Sequence, residues 1–398
     1  MKYKTRFFLF FIAMSLFHLS ANFVHPVTPT LIKNLNQPEY MFGLMFAMMT
    51  ITNFALSPFW GKINLYISSR LSLLICCVSY ALCQLGFAYS VNQLQLLTVR
   101  ALAGIFIGGI NVSLLTYVVN DAKPEDQGKY LIYTATNQSV LAAFGYLVGG
   151  MVGEYSILLT FWLQFAILCA AGVLFRFGCA SDKCIDEKIP VKQLIIDANP
   201  LKAFFEGKHF MTTAFVLLFV INALINLGNT GFDQAFNYYL KDQLNLTSSY
   251  NGIIKAVVGF VSFAANMSLC LWIIRKTNVK KSMVVLLLGC TAVSVGTVLP
   301  LSLRLFMVFG VLVYTGYSVI VPVLQDMVAN LSEPEQKNLV MGFFNATRSI
   351  GSIIGALAAG FIYGIHAKLP FLCVALSYGL GILVALLFLL HQGRKAKS

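Results

Sequence analysis

Charged side chains are scarce in this sequence: Asp, Glu, Lys and Arg make up only 11 % of its 398 residues. Soluble globular proteins carry about 25 % charged residues, so the deficit argues against a soluble fold. Acidic residues are the fewest, with 15 Asp and Glu against 28 Lys and Arg. Hydrophobic residues make up 58 % of the chain and the mean hydropathy is +0.78, which is typical of a polytopic membrane protein.

Signatures of enzymes and of metal sites are also missing from the sequence. It contains no phosphate-binding P-loop for ATP, and no loop is long enough to form a catalytic domain. Two of the nine cysteines, Cys179 and Cys184, lie in a polar loop without a neighbouring histidine, so reduced thiols are expected. We therefore predict no enzymatic activity, no cofactor and no bound metal.

Apolar runs long enough to cross a bilayer occur throughout the chain. A transmembrane helix needs roughly 20 mostly apolar residues. The sequence offers twelve such segments, at approximately 7–27, 40–60, 71–90, 95–118, 131–152, 156–176, 209–231, 250–274, 282–300, 305–328, 339–363 and 370–391. We predict an all-α integral membrane protein with twelve transmembrane helices.

Basic residues accumulate in every second connection between these spans. Counted from a cytoplasmic N terminus, only Lys33, Lys241, Arg304 and Lys368 lie clearly on the outer side. Cytoplasmic loops of membrane proteins carry such an excess of Lys and Arg. The bias predicts a multi-pass protein of the cell membrane with both termini in the cytoplasm. It also explains the net charge of +13 without a nucleic-acid partner.

An internal repeat relates the two parts of the chain. The segment that begins at Pro124 aligns without a gap with the segment that begins at Pro334. We predict an N-terminal six-helix half at 1–176 and a C-terminal half at 209–398, joined by a cytoplasmic linker at 177–208. Two repeated halves with a cytoplasmic central loop are typical of secondary transporters, whose substrate sites lie near the middle of the membrane.

Four short motifs mark particular spans. HPVTP (His25–Pro29) closes the first span, SPFWGKINLYISSR (Ser57–Arg70) follows the second, RALAGIFIG (Arg100–Gly108) lies in the fourth and GYLVGG (Gly145–Gly150) in the fifth. Through these motifs and its twelve spans, the chain resembles the major facilitator superfamily. It resembles in particular the twelve-helix drug:proton antiporters of the tetracycline and quinolone efflux type. The resemblance implies two six-helix halves that rock around a central cavity.

The match to the superfamily signatures is uneven. At six matching positions the resemblance implies a role in conformational change: Gly61, Arg70, Gly104, Gly145, Gly149 and Gly150. Leu65 and Ser68 stand where the loop signature has Asp and Gly, and Tyr146 replaces the proline of the antiporter signature. Close packing is an alternative explanation for the glycines, because small residues let membrane helices approach one another.

Polar residues inside the first and seventh spans form matching stripes. In the first span, His18, Asn22 and His25 have the spacing of one face of a helix. The seventh span repeats this spacing with Asn222, Asn226, Asn229, Asp233 and Asn237. The resemblance implies that both spans line the central cavity.

Ionisable residues inside membrane spans are costly and usually functional. We predict that Asp233, His25 and Arg100 carry or tune a coupling proton. The predicted substrate-binding residues are His18, Asn22, His25, Asn226, Asn229, Asp233, Phe236, Tyr314 and Arg348. The alternative for the Asn and His residues is that they hydrogen-bond helices together. Lys255, near the outer end of the eighth span, is expected to extend toward the membrane surface.

These features predict a secondary active transporter that works by alternating access, with proton-coupled export of a lipophilic or amphiphilic small molecule as the first hypothesis. Two arginines and two histidines against one deep aspartate leave open an anionic amphiphile, lipid or metabolite as the substrate. A non-transporting membrane sensor in a transporter fold is the second alternative. The expected partners are a small-molecule substrate, the proton and the lipid bilayer, and we expect a monomer.

Overall fold

The computed structural model describes residues 3–181, 199, 210–299, 302–333 and 336–395. These residues are mostly helical and contain no strand. The helices are α1 (Tyr3–Ala21), α2 (Thr28–Asn34), α3 (Met41–Ile63), α4 (Ser69–Ala88), α5 (Gln93–Asp121), α6 (Pro124–Tyr155), α7 (Ile157–Gly178), α8 (Thr213–Asp242), α9 (Ser248–Ala265), α10 (Leu271–Lys276), α11 (Val279–Val298), α12 (Leu303–Leu331), α13 (Lys337–Tyr363) and α14 (Leu369–Lys395). A π-helical turn, Asn266–Cys270, joins α9 to α10.

Helices of membrane-spanning length account for the predicted spans. In the part of the chain that the structure describes, 10 helices are long and apolar enough to cross a bilayer, with α9, the π turn and α10 counted as one. α1 adds a shorter apolar helix at Thr5–Ala21. α6 is 32 residues long and therefore also long enough to cross, although it is more polar than the others. Together these helices correspond to the twelve predicted segments.

The first predicted span is interrupted instead of forming one helix. α1 ends before a run of turns at residues 22–27, after which α2 begins. Pro26 and Pro29 have no N–H, so neither can donate the helical hydrogen bond to the carbonyl four residues earlier. The prediction of one continuous helical stripe is therefore wrong, because His18 lies in α1 whereas His25 lies in the turns.

The chain divides into two compact units. Unit 1 comprises Met1–Gln37, Met48–Pro200 and Leu244–Ala256, and unit 2 comprises Pro38–Ala47, Leu201–Gln243 and Val257–Ser398. Unit 1 thus includes the short segment Leu244–Ala256 from the C-terminal part of the sequence, most of which belongs to unit 2. Unit 2 likewise includes Pro38–Ala47 from the N-terminal part. The six-helix halves at 1–176 and 209–398 stay a prediction, and most of the predicted linker, 182–198 and 200–208, lies outside the described residues.

Aromatic rings fill much of the interior of unit 1, in which α1 packs against α6 and α7 and α4 packs against α5 and α7. Phe10 of α1 stacks on Tyr117 of α5 with ring centroids 4.7 Å apart. Phe7 stacks on Tyr130 of α6 at 4.2 Å. Such ring pairs contribute about 0.5–1.5 kcal/mol beyond the area that they bury, so they help to fix α1 against α5 and α6.

α8 is the central helix of unit 2 and packs against α12, α13 and α14. Two glycines of α13, Gly351 and Gly355, face its backbone. A Cβ atom added to Gly351 would clash with the carbonyl oxygen of Ala223, and one added to Gly355 would clash with that of Leu227. Glycine is therefore required for the close contact between α8 and α13, in line with the way small residues pack membrane helices.

Candidate functional site

The carboxylate of Asp233 lies half-buried on α8 beside aromatic rings of unit 2. Its Oδ1 accepts a 2.9 Å hydrogen bond from the Tyr314 hydroxyl of α12, and its Oδ2 accepts a 3.2 Å bond from the side chain of Gln234. The Tyr314 ring packs edge-on against Phe232 and Phe236, with centroids 5.1 and 5.8 Å apart. The structure thus brings together three predicted site residues: Asp233, Phe236 and Tyr314.

Two buried asparagines of α8 bind neighbouring helices of unit 2. Asn222 donates to the Phe344 carbonyl at 2.7 Å and to the Thr347 hydroxyl at 2.9 Å, both on α13. Asn226 donates to the Asn222 carbonyl at 2.8 Å and accepts a 2.8 Å bond from the Tyr317 hydroxyl of α12. These bonds tie α8 to α12 and α13, as the helix-bonding alternative predicts. A substrate role for Asn226 stays a prediction.

Two other predicted site residues of unit 2 have polar groups with which no described side chain pairs. The Oδ1 atom of Asn229 is buried and has no hydrogen-bond partner among the described residues. Arg348 of α13 is exposed, and no carboxylate in the described ranges forms an ion pair with it. Both side chains therefore have hydrogen-bonding capacity left for a ligand.

The end of α1 places His18 and Asn22 in unit 1. The His18 side chain is buried, and its Nε2 atom has no hydrogen-bond partner in the described part of the chain. Asn22 lies in the turns after α1, and its Nδ2 donates to the His18 carbonyl at 2.8 Å. The Asn22 side chain thus caps the last turn of α1, while one nitrogen of the His18 imidazole has capacity for a ligand.

His25 lies in the same turns and contacts α6. Its imidazole stacks on the Tyr146 ring, with centroids 5.4 Å apart and an interplanar angle of 13°. Lys255 of α9 contacts the same ring, with its Nζ 5.4 Å from the centroid. Sequence spacing does not connect Lys255 with His25, because the two are far apart in the chain.

Arg100 is a buried cation of unit 1 with an aromatic partner. Its guanidinium carbon lies 3.8 Å from the centroid of the Phe87 ring, and its Nη1 lies 4.0 Å from the sulfur of Met49. Among the described residues no carboxylate forms an ion pair with Arg100. Arg100 and His25 belong to unit 1 and Asp233 belongs to unit 2, so the three predicted proton-coupling residues do not lie in one unit.

Comparison with known families identifies this arrangement of helices. The family model described as Major Facilitator Superfamily matches residues 10–304 and 298–398, nearly the whole chain. The chain belongs to the Major Facilitator Superfamily. It is therefore a transporter and not an enzyme, with a small-molecule substrate and a multi-pass membrane fold, and the predicted resemblance is confirmed.

Two curated relatives in this superfamily come from Staphylococcus aureus. The Quinolone resistance protein NorA (strain MSSA476) is 20 % identical over 404 residues, which cover 98 % of this chain and 97 % of that protein. The Staphyloferrin B transporter (strain NCTC 8325 / PS 47) is 25 % identical over 352 residues, which cover 85 % of this chain and 80 % of the relative.

Solved structures of other transporters share the fold. The human organic anion transporter MFSD10 (TETRAN) has a TM-score of 0.67 at 16 % identity, covering 97 % of this chain and 100 % of that one. The nucleoside transporter NupG has a TM-score of 0.74 at 13 % identity, covering 98 % of each chain. The predicted twelve-helix fold is thereby confirmed.

Several glycines of the superfamily signatures lie where neighbouring segments of unit 1 approach closely. An added Cβ atom would clash with a backbone carbonyl at three of them: Gly104 with Met49, Gly145 with Leu19, and Gly149 with Phe23. A Cβ atom on Gly150 would lie 2.6 Å from the carbonyl oxygen of Ser248. The packing explanation therefore holds for all four glycines, and a role in conformational change stays a prediction for each.

The loop signature between α3 and α4 contains a polar network that sequence reasoning missed. Asn64 donates a 3.0 Å hydrogen bond to Ser113 of α5. Arg70 donates to the Cys179 carbonyl at 3.3 Å, while a Cβ atom on Gly61 would meet only an ordinary van der Waals contact. The available signal was Asn64 itself, a polar residue directly before the position at which the family carries aspartate.

Proposed function

We propose that this superfamily member exports a lipophilic or amphiphilic small molecule in exchange for protons, and that Asp233 binds the coupling proton. The observation that carries the proposal is the Asp233 carboxylate, half-buried on α8 and hydrogen-bonded to Tyr314. It lies nine residues before the end of α8, about 13 Å along the helix. Ionisable groups at such a depth mark ion and substrate pathways.

The donors around Asp233 give the two protonation states different surroundings. Ionised, the carboxylate only accepts, and its two oxygens lie within hydrogen-bond distance of the Tyr314 hydroxyl and the Gln234 amide. Protonated, it gains an O–H donor that needs an acceptor of its own, so the group rearranges. A proton shifts a conformational equilibrium only if its affinity differs between the two states. Rearrangement of this hydrogen-bonded group supplies such a difference.

Aromatic rings beside Asp233 fit a lipophilic substrate. Phe236 stacks on Phe306 at 5.5 Å, and Phe306 packs against Phe371 at 5.8 Å. Small-molecule sites are lined mainly by apolar and aromatic side chains with a few polar groups. One relative is named for quinolone resistance, which supports export of an aromatic compound. On this proposal Phe236, Tyr314 and Asn229 contact the substrate.

Gradient-driven transport by reconstituted protein tests the role of Asp233. Proteoliposomes with an acidic lumen should take up ethidium as protons leave, and Asp233→Asn should abolish that uptake. Asp326→Asn is the matched control. Asp326 is also a half-buried carboxylate, and it lies near the C-terminal end of α12. Uptake at the wild-type rate by Asp233→Asn would contradict the proposal.

The other predicted residues are assigned within this mechanism as proposals. Arg100 and His25 tune proton binding from unit 1, and His18 and Asn22 contact the substrate there. The signature glycines allow the helices to slide past one another. We also propose that the protein works as a monomer with both termini in the cytoplasm.

An anionic substrate is the second candidate, favoured by Arg348. This guanidinium is exposed on α13 and has no ion-pair partner among the described residues. Two similar proteins are named for staphyloferrin B and for organic anions. If the substrate is anionic, Arg348→Ala should lower uptake of a fluorescent carboxylate such as 1-pyrenebutyrate and leave ethidium uptake intact. Equal loss of both would refute this candidate.

A further inference from the structure

A groove of about 420 Å³ opens on the surface of unit 1, where α4 ends and α5 begins. Small-molecule sites in proteins have volumes of about 300–1,000 Å³, so the groove is large enough to hold part of a ligand. Its lining residues include Gly86, Tyr89, Leu94, Gln95 and Val99, and none of its lining residues is charged. None of them has been assigned above to the substrate or to the proton.

The groove lies at the level of a membrane–water interface. α4 and α5 are both long and apolar enough to cross a bilayer, and residues 89–92 connect them. Tyr89 and Trp162 of α7 are exposed, and the Trp162 indole donates a 3.2 Å hydrogen bond to the Tyr89 hydroxyl. Tyr and Trp are enriched at the two interfaces of a membrane, because their rings are amphipathic. The groove is therefore placed beside lipid headgroups.

Two hydrogen-bond donors of the groove have no acceptor in the described part of the chain. The Tyr89 hydroxyl accepts from Trp162, and its own hydrogen goes to no described group. The Oε1 atom of Gln95 accepts a 2.9 Å bond from the Val91 backbone N–H, which leaves the Nε2 donors of the same amide for another partner. A hydroxyl and an amide N–H of this kind fit an oxygen acceptor.

The groove becomes apolar with depth in the membrane. Val99 lies six residues into α5, about 9 Å along its axis. It faces Gly86 of α4, where an added Cβ atom would lie 3.5 Å from the Val99 side chain. Leu94 and Leu102 are exposed on one face of α5, eight residues apart. The polarity of this surface therefore changes with depth in the same direction as that of a lipid, from polar headgroup to acyl chain.

We infer that this groove is a binding site for one diacyl phospholipid of the bilayer. The phosphodiester of the lipid accepts hydrogen bonds from the Tyr89 hydroxyl and the Gln95 amide, and one acyl chain lies along α5 past Val99. Hydrogen bonds to an ionised acceptor are about twice as strong as neutral ones. The two donors therefore bind the phosphodiester in preference to the uncharged ester groups of the lipid.

Photolabelling of the purified full-length protein tests the site. The probe is a phosphatidylcholine with a diazirine in one acyl chain near the ester, titrated in dodecyl maltoside micelles, and tandem mass spectrometry identifies the labelled residues. Labelling within 86–99 should saturate. Labelling of three exposed leucines of α14 should instead rise in proportion to the probe: Leu376, Leu380 and Leu383. Unlabelled phosphatidylcholine should compete at least about fivefold better than diacylglycerol with the same chains, which lacks the phosphodiester.

Two substitutions separate the donors from the shape of the groove. Gln95→Glu keeps an acceptor for the Val91 N–H but removes the amide donors and repels a phosphate, so saturable labelling should be lost. Tyr89→Phe removes only the hydroxyl and should raise the probe concentration for half-maximal labelling about two- to tenfold. Gln325→Glu is the matched control, because Gln325 is an exposed glutamine of α12. Each variant is first shown to elute as wild type in size-exclusion chromatography.

Three results would overturn the inference: labelling within 86–99 that does not saturate, equal competition by diacylglycerol and phosphatidylcholine, or wild-type labelling of Gln95→Glu. An equal loss of labelling in Gln95→Glu and Gln325→Glu would also overturn it, because the added charge and not the groove would then be the cause.

Discussion

Replacing Gly149 by alanine should force α6 away from the turns at residues 22–27 that follow α1. A Cβ atom at this position would clash with the carbonyl of Phe23 and would also lie 2.5 Å from its Cα. These are backbone atoms, so no side-chain rotation relieves the clash. α6 and the turn at Phe23 must therefore separate, which weakens the packing around Gly149. Over-packing of this kind typically costs about 1–3 kcal/mol.

The matched control for this change is Gly289→Ala. Gly289 lies in α11, and a Cβ atom there would meet nothing within 4 Å. Alanine is the better helix former by about 1 kcal/mol, so this variant should be as stable as wild type or slightly more so. The two variants make the same chemical change, and only the space around the Cβ atom differs.

Thermal unfolding followed with a thiol-reactive fluorophore measures the difference. The chain suits this assay because Cys76, Cys77 and Cys290 are buried and free in the folded protein. Gly149→Ala should unfold several degrees below wild type, since 1 kcal/mol corresponds to about 2–4 °C in a domain of 150–250 residues. Equal unfolding temperatures for Gly149→Ala and Gly289→Ala would refute the close contact between α6 and the turn at Phe23.

Two further outcomes are expected from buried polar groups. Tyr317→Phe removes the hydroxyl that donates a 2.8 Å hydrogen bond to Asn226. In the same assay it should destabilise the protein by about 0.6–1.7 kcal/mol. An unchanged unfolding temperature would contradict that bond. Burial raises the pKa of the Cys179 thiol, just beyond α7, to about 12. Since the thiolate is then rare at neutral pH, N-ethylmaleimide should label Cys179 slowly between pH 6 and 8, and mass spectrometry showing labelling as fast as in denatured protein would contradict its burial.

Hydropathy and charge were sufficient to predict the spans, because the bilayer imposes length and polarity on each helix separately. The interruption at residues 22–27 was also readable from Pro26 and Pro29, since both lack an N–H. The spacing of His18 and His25 matches that of an unbroken helix, and this periodic pattern hides the interruption. Local chemistry outweighed the periodic pattern at this point.

Side-chain partners were beyond prediction from the sequence. Spacing along α8 indicates which residues share a face, but it does not indicate that Tyr314 from another helix donates to Asp233. For the same reason Arg100 was expected to tune a carboxylate, whereas the structure gives it the Phe87 ring. Such contacts depend on the packing of helices that are distant in the chain, and a single sequence carries no direct record of them.

The most direct test of proton coupling through Asp233 compares net transport with exchange in proteoliposomes. Entrapped pyranine reports proton flux, and preloaded unlabelled ethidium allows exchange for labelled ethidium without a pH gradient. Asp233→Asn should retain ethidium exchange, because Asn has nearly the same size and shape as Asp, and should show no ethidium-dependent proton flux. Ethidium-dependent proton flux at the wild-type rate in Asp233→Asn would contradict the central claim.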